Sequence, residues 1–207
     1  MTPLRVLAAV VWISCILGAC ASPEAPEDPV PPEPPNVLLF MVDDLRHDAL
    51  GATGHPFFQS PRIDRLADEG VIFEDMFVIS SLCSPSRATM LTGLYTHQHR
   101  VRTIWDQLSP DAPTFAGHLR EAGYETAWIG KWHLNSSGAP HPDFDHWVSY
   151  RAHGTYTDPP LNVNGSVEYT SGHLTDLLTE RALDYLSSPR ESPFFLAVSH
   201  TASAARR

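Results

Sequence analysis

The sequence predicts an α/β fold in which a mostly parallel sheet carries helices on both faces. Three observations lead to this prediction. Short apolar runs, typical of buried parallel strands, alternate with stretches of helical periodicity. The links between these stretches are short, as they are when successive units return to one sheet. The chain has 207 residues, enough for a core of ordinary size, and 43% are apolar, which excludes a disordered or collagen-like chain.

The first two elements are a strand and a helix. Residues 36–42 form a continuous apolar run, as expected of a central parallel strand, and the run ends in the adjacent acids Asp43 and Asp44. A helix is predicted to begin after Ser60, a typical N-cap residue, and to end at Gly70. This first unit has the strand-to-helix order of an α/β fold.

The remaining elements continue the alternation. In chain order they are a strand over 71–79, a helix that begins after Ser84 with Pro85 in its first turn and ends at Gly93, a helix over 114–122, a strand over 126–129, a helix over 174–186 and a strand over 194–198. Sheets of this class bind ligands at the carboxyl ends of their strands. The polar residues that follow each strand are therefore the candidates for chemistry.

The N-terminal segment is predicted to direct export. Arg5 precedes an apolar stretch too short to span a membrane, so residues 1–19 have the form of a signal peptide. The run from Leu17 to Cys20 resembles the bacterial lipobox, in which the cysteine carries lipid; ordinary secretory cleavage nearby is the alternative. Residues 20–35 are rich in Pro and Glu and predict an extended linker. We expect an exported lipoprotein that faces the periplasm or cell surface and contacts the membrane only through its lipid.

Charge and cysteine usage single out two residues. The net charge of −10 argues against a nucleic-acid partner. Of the 14 basic residues only Lys131 is a lysine, and it follows a predicted strand. Cys15 lies in the predicted signal and Cys20 would carry lipid, so Cys83 is unpaired in an exported body, where thiols normally pair. Either its chemistry is used or it is a buried, inert side chain.

The residues at three predicted strand ends form a set with related chemistry. Asp43 and Asp44 would repel each other at a buried sheet end, and a hard divalent cation would compensate; a solvated turn or helix cap is the alternative. Cys83 lies at the positive end of a predicted helix, where an anion is favoured. Lys131 and His133 follow the next strand. Together they predict a site that binds an anion beside a cation.

The run Cys83-Ser84-Pro85-Ser86-Arg87, followed by Leu91-Thr92-Gly93, resembles the sulfatase motif. Other segments resemble the same family in order and spacing, namely 36–44, 48–51, 96–97, 130–134 and 194–199. The resemblance implies an alkaline-phosphatase/sulfatase-like fold. It also implies that a formylglycine-generating or sulfatase-maturating enzyme converts Cys83 to formylglycine (3-oxoalanine), whose hydrate would attack a sulfate ester and then release sulfate.

The resemblance implies a metal site as well. Asp43, Asp44 and an oxygen of residue 83 would hold Ca²⁺, with Mg²⁺ as the alternative ion. The ion would polarise the sulfate and favour the ionised nucleophile.

Basic side chains are implied to act on the nucleophile or the substrate. Arg87 would hold the hydrate, and Lys131 would bind sulfate or the leaving oxygen. His133 would hydrogen-bond the hydrate or assist proton transfer. His153 lies near where relatives place a polar sulfate contact, although loop histidines are commonly just solvated. His47, close behind the acidic pair, is expected to support that pair or to lie on the surface.

The resemblance ends before the chain does. Relatives follow the strand over 194–199 with a Pro-His pair whose histidine is catalytic, and Ala204 occupies the position expected for it. In relatives, further metal ligands and a second lysine come later. We therefore expect residues 36–207 to be the N-terminal part of a sulfatase catalytic domain, incomplete at its C-terminus. Such a chain would bind metal weakly and show no measurable sulfatase activity alone.

The leading functional hypothesis is a sulfuric ester hydrolase that cleaves a sulfate monoester on a small molecule or glycan. Trp132 and Trp147 could stack on a sugar or aryl group of the substrate, with burial in the core as the alternative. Two other functions stay open. One is a phosphonate monoester or phosphodiester hydrolase, a related group that can share the motif and metal-site plan. The other is a non-catalytic, lipid-anchored fragment.

Overall fold

The computed structural model describes residues 33–201. The strands are β1 (Val37–Val42), β2 (Glu125–Gly130), β3 (His146–Ser149), β4 (Pro160–Val163), β5 (Ser166–Tyr169) and β6 (Phe194–His200). The α-helices are α1 (Pro61–Glu69), α2 (Cys83–Thr92), α3 (Thr96–His99), α4 (Phe115–Glu121) and α5 (Leu174–Ser187). The predicted signal peptide, Cys20, most of the predicted linker and Ala204 lie outside the described residues. No helix within residues 33–201 is long and apolar enough to cross a membrane.

The strands of this region form one six-stranded sheet in the order β1-β6-β2-β3-β4-β5. The pairings that join β1, β6, β2 and β3 are parallel, while β4 and β5 form an antiparallel hairpin at the far edge. The prediction of a mostly parallel α/β sheet is confirmed. The three strands β1, β6 and β2 end side by side, because Val42 pairs with His200 and Gly130 pairs with Ser199.

Helices cover both faces of the sheet, as predicted. On one face α2 and α4 pack against an aromatic core that includes Trp128 and Phe195. On the other face α5 packs Leu174 and Leu178 against Ile129 and its neighbours. These apolar contacts fix α2, whose first residue is Cys83, against the ends of the central strands.

The prediction that residues 36–42 form a central strand is wrong for the described sheet, where β1 lies at an edge. Its side chains alternate between half-buried and exposed, and Phe40 is 60% exposed. Leu39 and Met41 pack against the core, so one face of the strand is covered. A continuous apolar run indicates that a strand is suited to burial on both faces. It does not determine which other elements pack against the strand.

Two local predictions also need correction. Residues 71–79 form neither helix nor strand, and Phe73 and Phe77 are 77% and 92% exposed. Apolar and β-branched residues favour a strand only where a neighbouring strand packs against them, and none of the described strands does so. Helix α2 begins at Cys83 after Leu82, so Ser84 lies inside its first turn and does not cap it.

Candidate active site

Strand ends bring the predicted site residues together. Asp43 follows β1 and Lys131 follows β2, and each is tied to β6, the strand between them. The Asp43 N–H donates to the His200 carbonyl at 2.8 Å, and the Lys131 N–H donates to the Ser199 carbonyl at 2.9 Å. Helix α2 adds Cys83 at the same edge. The parallel pairing of these strands thus brings Asp43 into contact with Lys131, which is 88 positions further along the chain.

Gly130 permits the close contact between β2 and β6 at this edge. Its φ is 121°, a region that side chains rarely adopt, and a Cβ built there would lie 2.0 Å from the Ser199 carbonyl oxygen. The glycine directly before Lys131 is therefore required by the backbone and not by the chemistry.

The Asp43 carboxylate is the centre of a buried charge cluster. Arg87 Nη2 donates to Oδ1 at 3.1 Å and Lys131 Nζ donates to Oδ2. The side chains of Arg87 and Lys131 are 3% and 0% exposed. Burial alone raises the pKa of Asp43, but the hydrogen bonds and charges of Lys131 and Arg87 outweigh it and hold the pKa below its ordinary value. Asp43 is therefore ionised at neutral pH.

Arg87 is fixed by several elements at once. Its Nη1 donates to the Lys131 carbonyl and, at 2.9 Å, to Ser199 Oγ, in addition to the Asp43 contact of Nη2. It lies one turn along α2 from Cys83. These bonds tie α2 to the ends of three strands, so Arg87 orients Asp43. The predicted contact of Arg87 with a hydrate at position 83 stays a prediction.

Cys83 stands next to the charges of this cluster. Its Sγ lies 3.5 Å from Lys131 Nζ and 3.8 Å from Asp43 Oδ2. The side chain is half-buried and lines a cavity of about 360 Å³ together with Asp43, Asp44 and Arg87. A nucleophile derived from Cys83 would therefore be reachable from solvent and adjacent to a buried ammonium group.

Asp43, Asp44 and Cys83 fit part of a site for a hard cation. One ligand atom from each residue can be chosen so that all lie within 4.8 Å of one another. Carboxylate oxygens suit Ca²⁺ and Mg²⁺, whereas a thiol is a soft ligand, so an oxygen at position 83 would improve the match. Ca²⁺ takes roughly six to eight oxygens. The described residues would therefore supply one part of its ligands.

His133 and His153 extend the cluster on the side of Lys131. Their ring centroids are 4.5 Å apart, edge to face, and His153 Nδ1 lies 3.3 Å from Lys131 Nζ. His133 is buried, and its Nδ1 has no hydrogen-bond partner among the described residues. Burial, and then the positive charge of Lys131, lower the pKa of His133 to about 4. The ring is therefore neutral at pH 7.

His133 lies in a turn beyond the end of β2. Strand β2 ends at Gly130, and His133 adopts φ 57°, so strand alternation does not place its side chain. Ser84 supports this turn, because its Oγ donates to the His133 carbonyl at 2.7 Å. Sequence reasoning missed this role of Ser84, and it also missed Ser199, although Ser199 stands near the end of a predicted strand.

The remaining candidates are exposed on the surface, buried in the core or outside the described residues. His47 is exposed in the loop after β1. Trp132 and Trp147 are each 1% exposed within the aromatic core, so the burial alternative is correct for both. The prediction for Cys20 falls outside the described residues.

Known proteins resemble this chain over most of its length. A family profile described as Sulfatase matches residues 35–203. An N-acetylglucosamine-6-O-sulfatase of Bacteroides thetaiotaomicron is 33% identical over 187 residues, which cover 89% of this chain and 32% of that protein. The human N-acetylgalactosamine-6-sulfatase is 32% identical in an alignment of 222 positions that covers 87% of this chain and 40% of that protein.

A solved structure supports the same relationship. It is described as a complex with its substrate D-glucosamine-2-N,6-O-disulfate, and it matches with a TM-score of 0.77 at 33% identity, covering 83% of this chain and 35% of that one. The chain thus spans 32% to 40% of the length of these two curated relatives. Because the family profile covers most of the chain and the motif residues converge in space, this chain belongs to the sulfatase family.

Proposed function

We propose that this chain forms the nucleophile side of the active site of a hydrolase that cleaves sulfate esters of carbohydrates. The observation that carries the proposal is the convergence of Cys83, Lys131 and Asp43, with Sγ 3.5 Å from the ammonium and 3.8 Å from the carboxylate. A sulfate monoester is shielded by its own negative charge. A site that cleaves it must therefore place positive charge beside a strong nucleophile.

Two groups beyond the twenty amino acids belong to this proposal. Asp43 and Asp44 would hold Ca²⁺, with Mg²⁺ as the alternative, and a maturating enzyme would convert Cys83 to formylglycine. When present, the ion supplies polarisation of the sulfate, and the modified residue supplies a nucleophile that can also release sulfate.

The chain's own side chains have separate tasks. Lys131 would bind a sulfate oxygen or the leaving oxygen, since its ammonium lies 3.5 Å from the sulfur of Cys83. His133 is neutral at pH 7, because its pKa is about 4, and can hold or transfer a proton. His153 lies 3.3 Å from Lys131 Nζ and would add a contact to the sulfate. Arg87 holds Asp43 in place through its contact at 3.1 Å.

The relatives support a choice of substrate class for the first assay. Two curated relatives are named as 6-sulfatases of N-acetylated hexosamines, and the solved relative is described with a 6-O-sulfated glucosamine. We therefore take a 6-O-sulfated hexosamine as the first substrate to test for this chain.

Another polypeptide segment is proposed to complete the domain. Large apolar side chains are exposed on β1 and on the stretch after it, including Phe40, Phe57, Phe73, Met76 and Phe77 at 60% to 92%. A soluble monomer rarely exposes so much apolar surface in one region, and β1 leaves one edge unpaired within the described sheet. This exposed apolar surface supports the proposal that a further segment covers β1 and the residues that follow it.

Export and anchoring remain part of the proposal. Residues 1–19 would be removed, Cys20 would carry the lipid, and the linker over 20–35 would hold the catalytic domain away from the membrane at the periplasm or cell surface.

The activity test compares two ester classes. The polypeptide encoded by the gene is co-expressed with a formylglycine-generating enzyme and assayed for sulfate release from N-acetylglucosamine-6-sulfate and for hydrolysis of an aryl phosphonate monoester. Sulfate release supports the proposal. Preference for the phosphonate supports the related phosphonate or phosphodiester hydrolase, and turnover of neither substrate favours a non-catalytic, lipid-anchored fragment.

The nucleotide sequence of the gene shows whether a segment that completes the domain is encoded. Reading the nucleotide sequence beyond codon 207 in all three frames is expected to reveal a sulfatase continuation, and finding none contradicts that part. The 207-residue chain alone is expected to release no measurable sulfate, so calcium-dependent turnover by it would overturn the requirement for a further segment.

A further inference from the structure

Trp105 differs from the other tryptophans of the described region. Trp128, Trp132 and Trp147 are at most 1% exposed in the core, whereas the side chain of Trp105 is 83% exposed. A single exposed apolar side chain is ordinary on a protein surface. The position of Trp105 in the fold therefore decides whether its exposure has a use.

The loop over 101–108, which carries Trp105, contacts the first turn of α2, the helix that begins at Cys83. The Ile104 carbonyl oxygen lies 3.4 Å from Ser84 Oγ, and Ser84 is the neighbour of Cys83. The same hydroxyl donates to the His133 carbonyl at 2.7 Å. Further on, the Leu108 N–H donates to the Leu134 carbonyl at 3.0 Å. Trp105 is thus one residue from a contact that involves both the first turn of α2 and the His133 turn.

The turn that carries Trp105 is held in one shape. The Asp106 carboxylate accepts from the Arg102 and Thr103 N–H groups at 2.8 and 2.9 Å, and the Trp105 N–H donates to Thr103 Oγ1 at 3.2 Å. The backbone N–H groups of Arg102 and Thr103 lower the pKa of Asp106, so these bonds persist at neutral pH. Val101 and Leu108 anchor the two ends of the loop in the core.

We propose that Trp105 is a platform on which the sugar ring of the substrate stacks, and this inference rests on the proposed function. The cluster around Lys131 accounts for the sulfate group, but a sulfated sugar also has an apolar C–H face that prefers an aromatic surface. An indole on a rigid turn offers a large contact area at little cost in conformational entropy. Trp105 would therefore add affinity for the ring that carries the sulfate group.

The test measures binding, so it does not depend on turnover. The 207-residue chain is titrated with glucosamine 6-sulfate, with glucosamine and with inorganic sulfate, using calorimetry for affinity and acrylamide quenching for exposure of the indole. The variants are Trp105→Ala and the matched control Tyr169→Ala, an 89% exposed aromatic on β5 at the opposite edge of the sheet from β1. The difference in quenching between the wild type and Trp105→Ala isolates Trp105.

The expected result is specific for the sugar sulfate. Glucosamine 6-sulfate protects Trp105 from acrylamide and inorganic sulfate does not, while Trp105→Ala weakens binding about tenfold, or ~1.4 kcal/mol, and Tyr169→Ala leaves it unchanged. Any of three results would overturn the inference. Trp105→Ala could bind as tightly as the wild type, the sugar sulfate at saturation could leave the quenching unchanged, or the wild type could fail to bind the sugar sulfate. The proposed function is judged separately, by sulfate release and by the chemical state of residue 83.

Discussion

Replacing Lys131 by Met removes the ammonium group from the buried ion pair with Asp43 and keeps a side chain of similar length. The side chains of Lys131 and Asp43 are 0% and 9% exposed. Removing one partner of a buried pair costs roughly 3–5 kcal/mol, because the other charge is left uncompensated. Arg87 still contacts Oδ1 of Asp43 at 3.1 Å. We therefore expect the lower end of that range, about 3 kcal/mol less free energy of unfolding.

Equilibrium unfolding in urea, followed by circular dichroism at pH 7, measures this loss. Arg120→Met is the matched control, because it breaks an ion pair with Asp145 whose side chains are 52% and 35% exposed. That variant should lose less than about 1 kcal/mol.

The loss should also depend on pH in a defined direction. The pKa of Asp43 is lowered in the folded state, so its ionised form contributes stability above the ordinary value of 3.8, and that contribution disappears as the pH falls through the lower, folded value. The difference between Lys131→Met and the wild type should therefore shrink below about pH 4. Equal losses for Lys131→Met and Arg120→Met at pH 7 would refute the buried ion pair.

Three further outcomes are expected. Gly130→Ala should lower the free energy of unfolding by at least about 3 kcal/mol, because the new Cβ meets a main-chain oxygen of β6. Gly54→Ala, which has open space around the new Cβ, should lower it by about 1 kcal/mol. Thermal unfolding of the two variants measures the difference. The pKa of His133 is about 4 in the folded chain and 6.5 ordinarily, so proton binding favours the unfolded chain. Between pH 7 and pH 5 the wild type should therefore lose about 2 kcal/mol more unfolding free energy than His133→Asn. Urea unfolding that shows the same loss in both proteins would contradict this. Calorimetry should show Ca²⁺ binding on the order of 1 mM or weaker, abolished by Asp44→Asn and retained by Asp48→Asn; loss in both variants would remove the assignment of Asp44.

The sequence could predict which residues meet, because parallel strands end at one edge of a sheet. Asp43 and Lys131 follow strands, so that rule places both at the carboxyl edge of the sheet. Their position on either side of β6 comes from the strand order, which the sequence did not specify. Cys83 was predicted from its place at a helix N-terminus and from the resemblance of its motif, although the strand expected before it does not form. Its approach to Lys131 depends on how α2 packs, which the order of elements does not specify.

Burial of individual side chains could not be predicted in the same way. Trp132 lies directly between two site residues in the chain, yet it is buried in the core, while Trp105 is exposed on a loop that the sequence did not single out. The residue type limits which contacts a side chain can make. The neighbours in the tertiary structure determine which of them form. The edge position of β1 has the same origin, since its apolar run suits burial whether or not a neighbour is present.

The chemical state of residue 83 decides whether this site is built for sulfate ester hydrolysis. The chain is produced in cells that contain a formylglycine-generating enzyme, and the tryptic peptide that ends at Arg87 and includes Cys83 is analysed by mass spectrometry. We expect formylglycine at position 83 in this peptide and no formylglycine in a Cys83→Ala variant. An unmodified cysteine at position 83 in those cells would contradict the claim that this site is built for sulfate ester hydrolysis.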